Sequence, residues 1–148
     1  MRKILPLLAL LACVGTARAD DTPANPMPAD AVKTAREMIA KKDFRAAIPR
    51  LLEAARQQPQ DADIQNLLGF CYRKTGDLDR AFRHYGEALR LNPSHLGAHE
   101  YVGEAYVMKR DLPKAEEHLR QLEKLCGTAC DEYRDLARSI AAARAGKG

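Results

Sequence analysis

The sequence is poor in aromatic residues and in long apolar runs. It has no tryptophan, and only five tyrosines and three phenylalanines among 148 residues. Proteins that bind single-stranded nucleic acid stack bases on aromatic side chains, so this shortage disfavours such a surface. The longest apolar run, residues 4–12, is too short to span a bilayer, which needs about 20 residues. We therefore expect no transmembrane segment.

The first 19 residues have the pattern of a secretory signal peptide. Arg2 and Lys3 precede the apolar run, and Ala17-Arg18-Ala19 places small residues where a signal peptidase cleaves. We predict cleavage after Ala19 and a periplasmic or secreted protein. In the alternative reading, Leu10-Leu11-Ala12-Cys13 is a lipobox, and a lipid on Cys13 would anchor the chain.

Loss of this segment removes most of the net positive charge. The whole chain has 24 Lys and Arg against 20 Asp and Glu, and three of the basic residues lie in residues 1–19, which carry no acid. The remaining 21 basic and 20 acidic residues do not form the clustered positive field that nucleic-acid binding needs. We expect no nucleic-acid partner.

Catalytic motifs are also missing from the sequence. No nucleophile motif, phosphate-binding glycine loop or paired catalytic carboxylate occurs. His95 and His99 have a spacing that can bind a metal on a helix, but no third ligand accompanies them. We expect no enzymatic activity, no cofactor and no metal there, and we expect His84 and His118 to be solvated.

What the sequence does contain is a gapless repeat of 34 residues. The units are residues 28–61, 62–95 and 96–129. Aligned columns carry small residues, a turn aspartate and large apolar residues: Ala35/Gly69/Gly103, Ala47/Ala81/Ala115, Asp43/Asp77/Asp111, Met38/Tyr72/Tyr106 and Leu51/Tyr85/Leu119. Repeats of this length, each with two helical segments, indicate a stack of helical hairpins.

The columns have physical reasons. We expect the small residues of the two helices to face each other where the axes come closest. Each turn aspartate can accept hydrogen bonds from the first N–H groups of the second helix. Gly76 can adopt the positive φ that ends a helix. Pro49 falls inside a predicted helix and should bend it.

These columns resemble the tetratricopeptide repeat (TPR) family. The middle unit is the clearest, with Leu67-Leu68-Gly69-Phe70-Cys71-Tyr72, Gly76-Asp77-Leu78 and Tyr85-Gly86-Glu87-Ala88. The resemblance implies an all-α, right-handed solenoid of three hairpins and a C-terminal capping helix at residues 130–145. Thr128 and Asp131 would form the capping box that starts that helix. Residues 20–27 would be a disordered lead-in and residues 146–148 a frayed tail.

The resemblance also implies a function. In that family the first helix of each unit lines a concave groove that holds a peptide or helix of a partner. By matching columns, the groove residues here would be Val32, Arg36, Ile39, Asn66, Phe70, Arg73, Lys74, Glu100, Glu104, Val107 and Met108. We therefore expect an adaptor that binds a segment of another envelope protein. Glu100 and Glu104 disfavour an acidic chaperone tail as that segment. Self-association near Pro49 is a further possibility.

Three cysteines remain after residue 19. Cys126 and Cys130 straddle the turn before the capping helix, and an exported protein can form a disulfide there. The alternative is a thiol pair that binds copper(I) or exchanges disulfides in the envelope. Cys71 is predicted to be a buried, apolar residue.

Overall fold

The computed structural model describes residues 28–146, and these residues form an all-α fold. They form seven helices and no strand: α1 Pro28–Ala40, α2 Phe44–Gln57, α3 Ala62–Lys74, α4 Leu78–Leu91, α5 Leu96–Met108, α6 Leu112–Cys126 and α7 Asp131–Arg144. The predicted fold class is confirmed. The signal peptide, the Cys13 anchor, the lead-in and residues 147–148 lie outside the described residues. Within residues 28–146, no helix is long and apolar enough to cross a membrane.

Each 34-residue unit is one helical hairpin: α1 with α2, α3 with α4, and α5 with α6. The three predicted aspartate caps are present. The side chains of Asp43, Asp77 and Asp111 accept hydrogen bonds from the backbone N–H groups of Ala46, Arg80 and Lys114. The same chemistry therefore starts the second helix of every unit. Asp61 caps α3 in a similar way, whereas the first-turn bond of α5 is accepted by the His95 ring.

The hairpin turns share one backbone conformation but not one residue type. Gly76 has φ 88°, as predicted. The equivalent residues Lys42 and Arg110 have φ 61° and 59°, in the left-handed region that residues with a Cβ rarely adopt. The first and third turns are therefore strained where the middle turn is not.

Large side chains pack against the two glycines of the small-residue columns. A Cβ on Gly69 would lie 2.5 Å from the Tyr85 ring, and one on Gly103 would lie 2.5 Å from Cδ2 of Leu136 in α7. The predicted alanine columns are buried, but large side chains make the closest approach to both glycines. Gly103 thus serves the contact with the next helix along the solenoid.

Helix α7 covers the last hairpin. Leu136 and Ile140 are buried and share a core cluster with Ala115 and Leu122. The expected capping box is wrong: α7 begins after Cys130, whose side chain makes no capping hydrogen bond. Gly127, with φ 77°, ends α6 as expected.

Candidate functional site

The candidate site is the face formed by the first helices of the units, α1, α3 and α5, with α7 beside them; we call it the groove. Helix α3 contacts α5, and α5 contacts α7, so α3, α5 and α7 lie side by side. Met108 is 52% exposed and Arg36 and Lys74 are exposed, whereas Val32, Ile39, Phe70, Glu100, Glu104 and Val107 are half-buried. Asn66 and Arg73 are only 7% and 6% exposed, deeper than a binding residue needs to be.

An aromatic row crosses the groove at Phe70. The Phe70 ring centroid lies 5.7 Å from that of Phe44 and 4.9 Å from that of Tyr101. The Lys74 ammonium lies 5.4 Å from the Phe70 centroid. Phe70 is therefore half-buried among aromatic neighbours rather than isolated on the surface. Sequence reasoning missed Phe44 and Tyr101, because their contact joins different units.

Arg73 joins two hairpins instead of extending into the groove. Its Nη1 lies 2.6 Å from Glu104 Oε2, and its Nε donates to the Tyr85 hydroxyl at 3.4 Å. The guanidinium also lies 5.5 Å from the ring centroids of both Phe70 and Tyr101. A charged group this deep needs such partners, so Arg73 and Glu104 serve the structure first.

The α5–α7 end of the groove is acidic. Burial raises the pKa of Glu100 to about 7, and repulsion from Glu104, Asp135 and Glu132 adds to the shift, while Arg73 opposes it. Ser139 of α7 donates a hydrogen bond of 3.4 Å to Glu104. The carboxylates of Glu100 and Glu104 lie at this end, and α7 adds two more.

Asn66 is buried with an unused acceptor. Its Oδ1 has no hydrogen-bond partner within the described part of the chain. Its Nδ2 would lie 3.3 Å from a Cβ on Gly97, so Asn66 packs directly against the start of α5. Buried polar groups are almost always paired, so an unpaired oxygen here is unusual.

The histidines of the second helices are packed, not solvated as expected. His84 stacks on Tyr72 with a centroid separation of 5.3 Å, and its Nδ1 lies 2.8 Å from the Gln65 side-chain oxygen. Nδ1 of His118 lies 3.0 Å from Nδ1 of His99. Burial lowers the pKa of both second-helix histidines, that of His118 to about 4, with His99 adding to the shift at His118.

The His99–His118 contact has one consistent proton arrangement. His99 Nε2 lies 2.9 Å from the Pro93 carbonyl oxygen, which can only accept, so Nε2 donates there. The other nitrogen of His99, Nδ1, can then accept a hydrogen bond from the Nδ1–H of His118.

Cys126 and Cys130 lie together at the α6–α7 turn, with Cα atoms 5.9 Å apart, a separation that a disulfide spans. The disulfide stays a prediction. Among the described residues, these two sulfurs and a Glu132 carboxylate oxygen form a cluster in which all three atoms lie within 4.8 Å of one another. Cys71 is buried, as predicted, and burial raises the pKa of its thiol to about 12.

Comparison with protein families agrees with the repeat. A family model described as "Tetratricopeptide repeat" matches residues 62–95, which are the α3–α4 hairpin and the second of the 34-residue units. The match covers this one hairpin, and the solved structures below resemble the described residues in fold.

Among curated proteins, the chain is 36% identical over 63 residues to "Anaphase-promoting complex subunit 3" of Dictyostelium discoideum, covering 43% of this chain and 6% of that protein. The chain spans between 6% and 31% of the length of the curated relatives it matches.

Two solved structures show the likeness of fold. "First TPR of Spaghetti (RPAP3) bound to HSP90 peptide SRMEEVD" has a TM-score of 0.71 and 17% identity, covering 80% of this chain and 93% of that one. The Yersinia enterocolitica type III secretion chaperone SycD, in complex with a peptide of the translocator YopD, has a TM-score of 0.69 and 16% identity, covering 81% and 94%. At this identity, the likeness concerns the fold alone.

Proposed function

We propose that this protein is a non-enzymatic adaptor that binds a peptide segment or helix of a partner protein in the groove. The observation that carries the proposal is the groove at Phe70, where an aromatic row lies beside the exposed side chain of Lys74. Apolar surface flanked by polar groups is the usual form of a peptide-docking groove. Two structural neighbours are complexes with bound peptides, which supports the same use here.

The experiment should avoid Arg73 and Glu104, because their loss would disturb packing. We would compare the wild type with Phe70→Ala/Met108→Ala, and use Leu125→Ala as the control, since Leu125 is an exposed apolar residue of α6 outside the groove. Cross-linked partners from the native host would be identified by mass spectrometry, and the bound segment titrated against each variant. We expect at least a tenfold loss of affinity for the groove variant and none for Leu125→Ala, with equal helicity in circular dichroism. Equal affinity for all three would disprove the groove as the site.

We propose that the adaptor works in the bacterial cell envelope, where it aids assembly, secretion or maturation of its partner. The support is the pattern of residues 1–19, namely a basic start, an apolar run and Ala17-Arg18-Ala19. The intact mass of the protein from its host tests this directly. We expect a chain that begins at Asp20. A mass that shows a diacylated Cys13 would mean that the protein is lipid-anchored. A chain that still begins at residue 1 would overturn export.

A second candidate function is thiol or metal handling at Cys126 and Cys130, favoured by the nearby Glu132 carboxylate. Two thiolates and a carboxylate suit a thiophilic metal ion such as zinc or copper(I). Alkylation of the protein from its native compartment, followed by mass spectrometry, separates the possibilities. Two unmodified cysteines joined as a disulfide support a structural role, and alkylated thiols with metal in the native sample support metal handling.

A further inference from the structure

Two carboxylates at the acidic end of the groove have no donor. Four carboxylates converge there: Glu100 and Glu104 from α5, and Glu132 and Asp135 from α7. Arg73 pairs with Glu104, and Arg138 pairs with Asp135. Within residues 28–146, Glu100 and Glu132 make no ion pair or hydrogen bond. A half-buried carboxylate beside like charges is costly, and a cation nearby would offset that cost.

A second, independent acceptor lies on the neighbouring helix. Three contacts join α3 to α5 with the same spacing of 31 residues: Phe70 to Tyr101, Arg73 to Glu104, and Asn66 to Gly97. Asn66 therefore lies in the same row as Phe70 and Arg73, about one helical turn from Phe70. Its Oδ1 is buried and has no hydrogen-bond partner among the described residues, which is an unusual cost in this row.

The opposite end of the groove has the opposite charge. Arg36 of α1 and Lys74 of α3 are exposed, and neither forms an ion pair among the described residues. The groove is therefore polarised along its length, from basic at α1 to acidic at α5 and α7. Such a polarity selects both the charge and the direction of a bound segment.

Resting on the proposed peptide-binding function, we propose that the partner segment is basic where it meets α5 and α7. A Lys or Arg side chain of the partner lies among Glu100, Glu132 and Asp135, and an apolar residue beside it contacts Phe70. This chemistry is the reverse of an acidic tail held by basic residues, because here the protein supplies the carboxylates.

Two labelled peptides of equal length test the proposed positive charge of the partner segment. Both contain the same leucines at alternate positions, with lysines between them in one and glutamates in the other, and fluorescence polarisation measures their binding to the mature chain. We expect the lysine peptide to bind at least tenfold more tightly at pH 8. Glu100→Gln and Glu132→Gln should each weaken it severalfold. Glu117→Gln, an exposed change on α6 that leaves the groove intact, should have no effect.

The dependence of peptide affinity on pH gives a second test. Because burial and the neighbouring carboxylates raise the pKa of Glu100 to about 7, Glu100 is charged at pH 8 and mostly neutral at pH 5.5. Wild-type affinity for the lysine peptide should therefore fall between pH 8 and pH 5.5. The fall should be smaller in Glu100→Gln, which has no charge to lose at that position.

The possible outcomes distinguish a failure of this inference from a failure of the proposed peptide-binding function. If the glutamate peptide binds more tightly and Phe70→Ala releases it, the groove binds peptides but the basic partner is wrong. If Glu117→Gln weakens the lysine peptide as much as Glu100→Gln does, the attraction is general and the site is wrong. If neither peptide binds measurably, or if both bind and Phe70→Ala weakens neither, both the inference and the proposed groove function fail.

Discussion

The Arg73 guanidinium of α3 lies 2.6 Å from the Glu104 carboxylate of α5, and this ion pair joins the second hairpin to the third. Arg73 is almost fully buried and also contacts Tyr85. Removal of one partner from a buried pair leaves an uncompensated charge. The contact therefore couples the charge at the floor of the groove to the stability of the solenoid.

Arg73→Ala should destabilise the fold by about 3 kcal/mol, because Glu104 loses its partner and the guanidinium leaves a void. Lys74→Ala is the matched control, since Lys74 is the next residue of the same helix and is exposed. Its effect should stay within about 0.5 kcal/mol. Urea unfolding followed by circular dichroism measures both. Equal free energies of unfolding would show that the ion pair contributes nothing.

Gly103→Ala should be destabilising by about 1 to 3 kcal/mol, because the new methyl group would lie 2.5 Å from Leu136. The same change at Gly86, an exposed position of α4 with open space around it, should stabilise the protein by up to about 1 kcal/mol. The midpoint temperature of thermal unfolding should thus fall in Gly103→Ala and rise in Gly86→Ala.

The cause at Gly103 can be checked by a double-mutant cycle. Leu136→Ala alone should destabilise the fold, but together with Gly103→Ala the two costs should not add, because the smaller side chain makes room for the methyl group. Additive costs would mean that the methyl group does not collide with Leu136.

Lys42→Gly should stabilise the fold by about 0.5 to 1 kcal/mol, because Lys42 has φ 61° and glycine adopts this conformation without steric cost. Gly76→Ala is the reciprocal test, since Gly76 has φ 88° at the equivalent turn and should lose a similar amount. If Lys42→Gly instead lowers the free energy of unfolding, backbone strain at this turn is smaller than the entropy that glycine adds to the unfolded chain.

Stability should fall in acid because of His118. Its pKa is about 4 in the folded protein against 6.5 for an unperturbed histidine, so the unfolded chain binds a proton first. The stabilisation is complete above pH 6.5 and declines as pH falls towards 4, by at most about 3 kcal/mol. His118→Phe keeps an aromatic ring against Tyr106 and should flatten this decline, leaving the smaller part due to His84. Parallel pH profiles for the two proteins would assign the acid sensitivity to other groups.

The sequence by itself determined the hairpin architecture. The period of 34 residues located the three hairpins, and Asp43, Asp77 and Asp111 started their second helices as expected, because capping and turn chemistry act over three or four residues. Gly76 and Gly127 ended helices for the same local reason. The sequence also placed Cys71 in the core.

Only the tertiary structure decided how the units meet. Arg73 looked like a groove residue by its column. It is buried instead, because it forms an ion pair with Glu104 and donates a hydrogen bond to the Tyr85 hydroxyl. His118 looked solvated, yet it bonds to His99, and α7 added Glu132 and Asp135 to the acidic end. These contacts join residues 12 to 35 positions apart in different helices. Their partners depend on how the helices pack, which a column-by-column reading of a repeat does not contain.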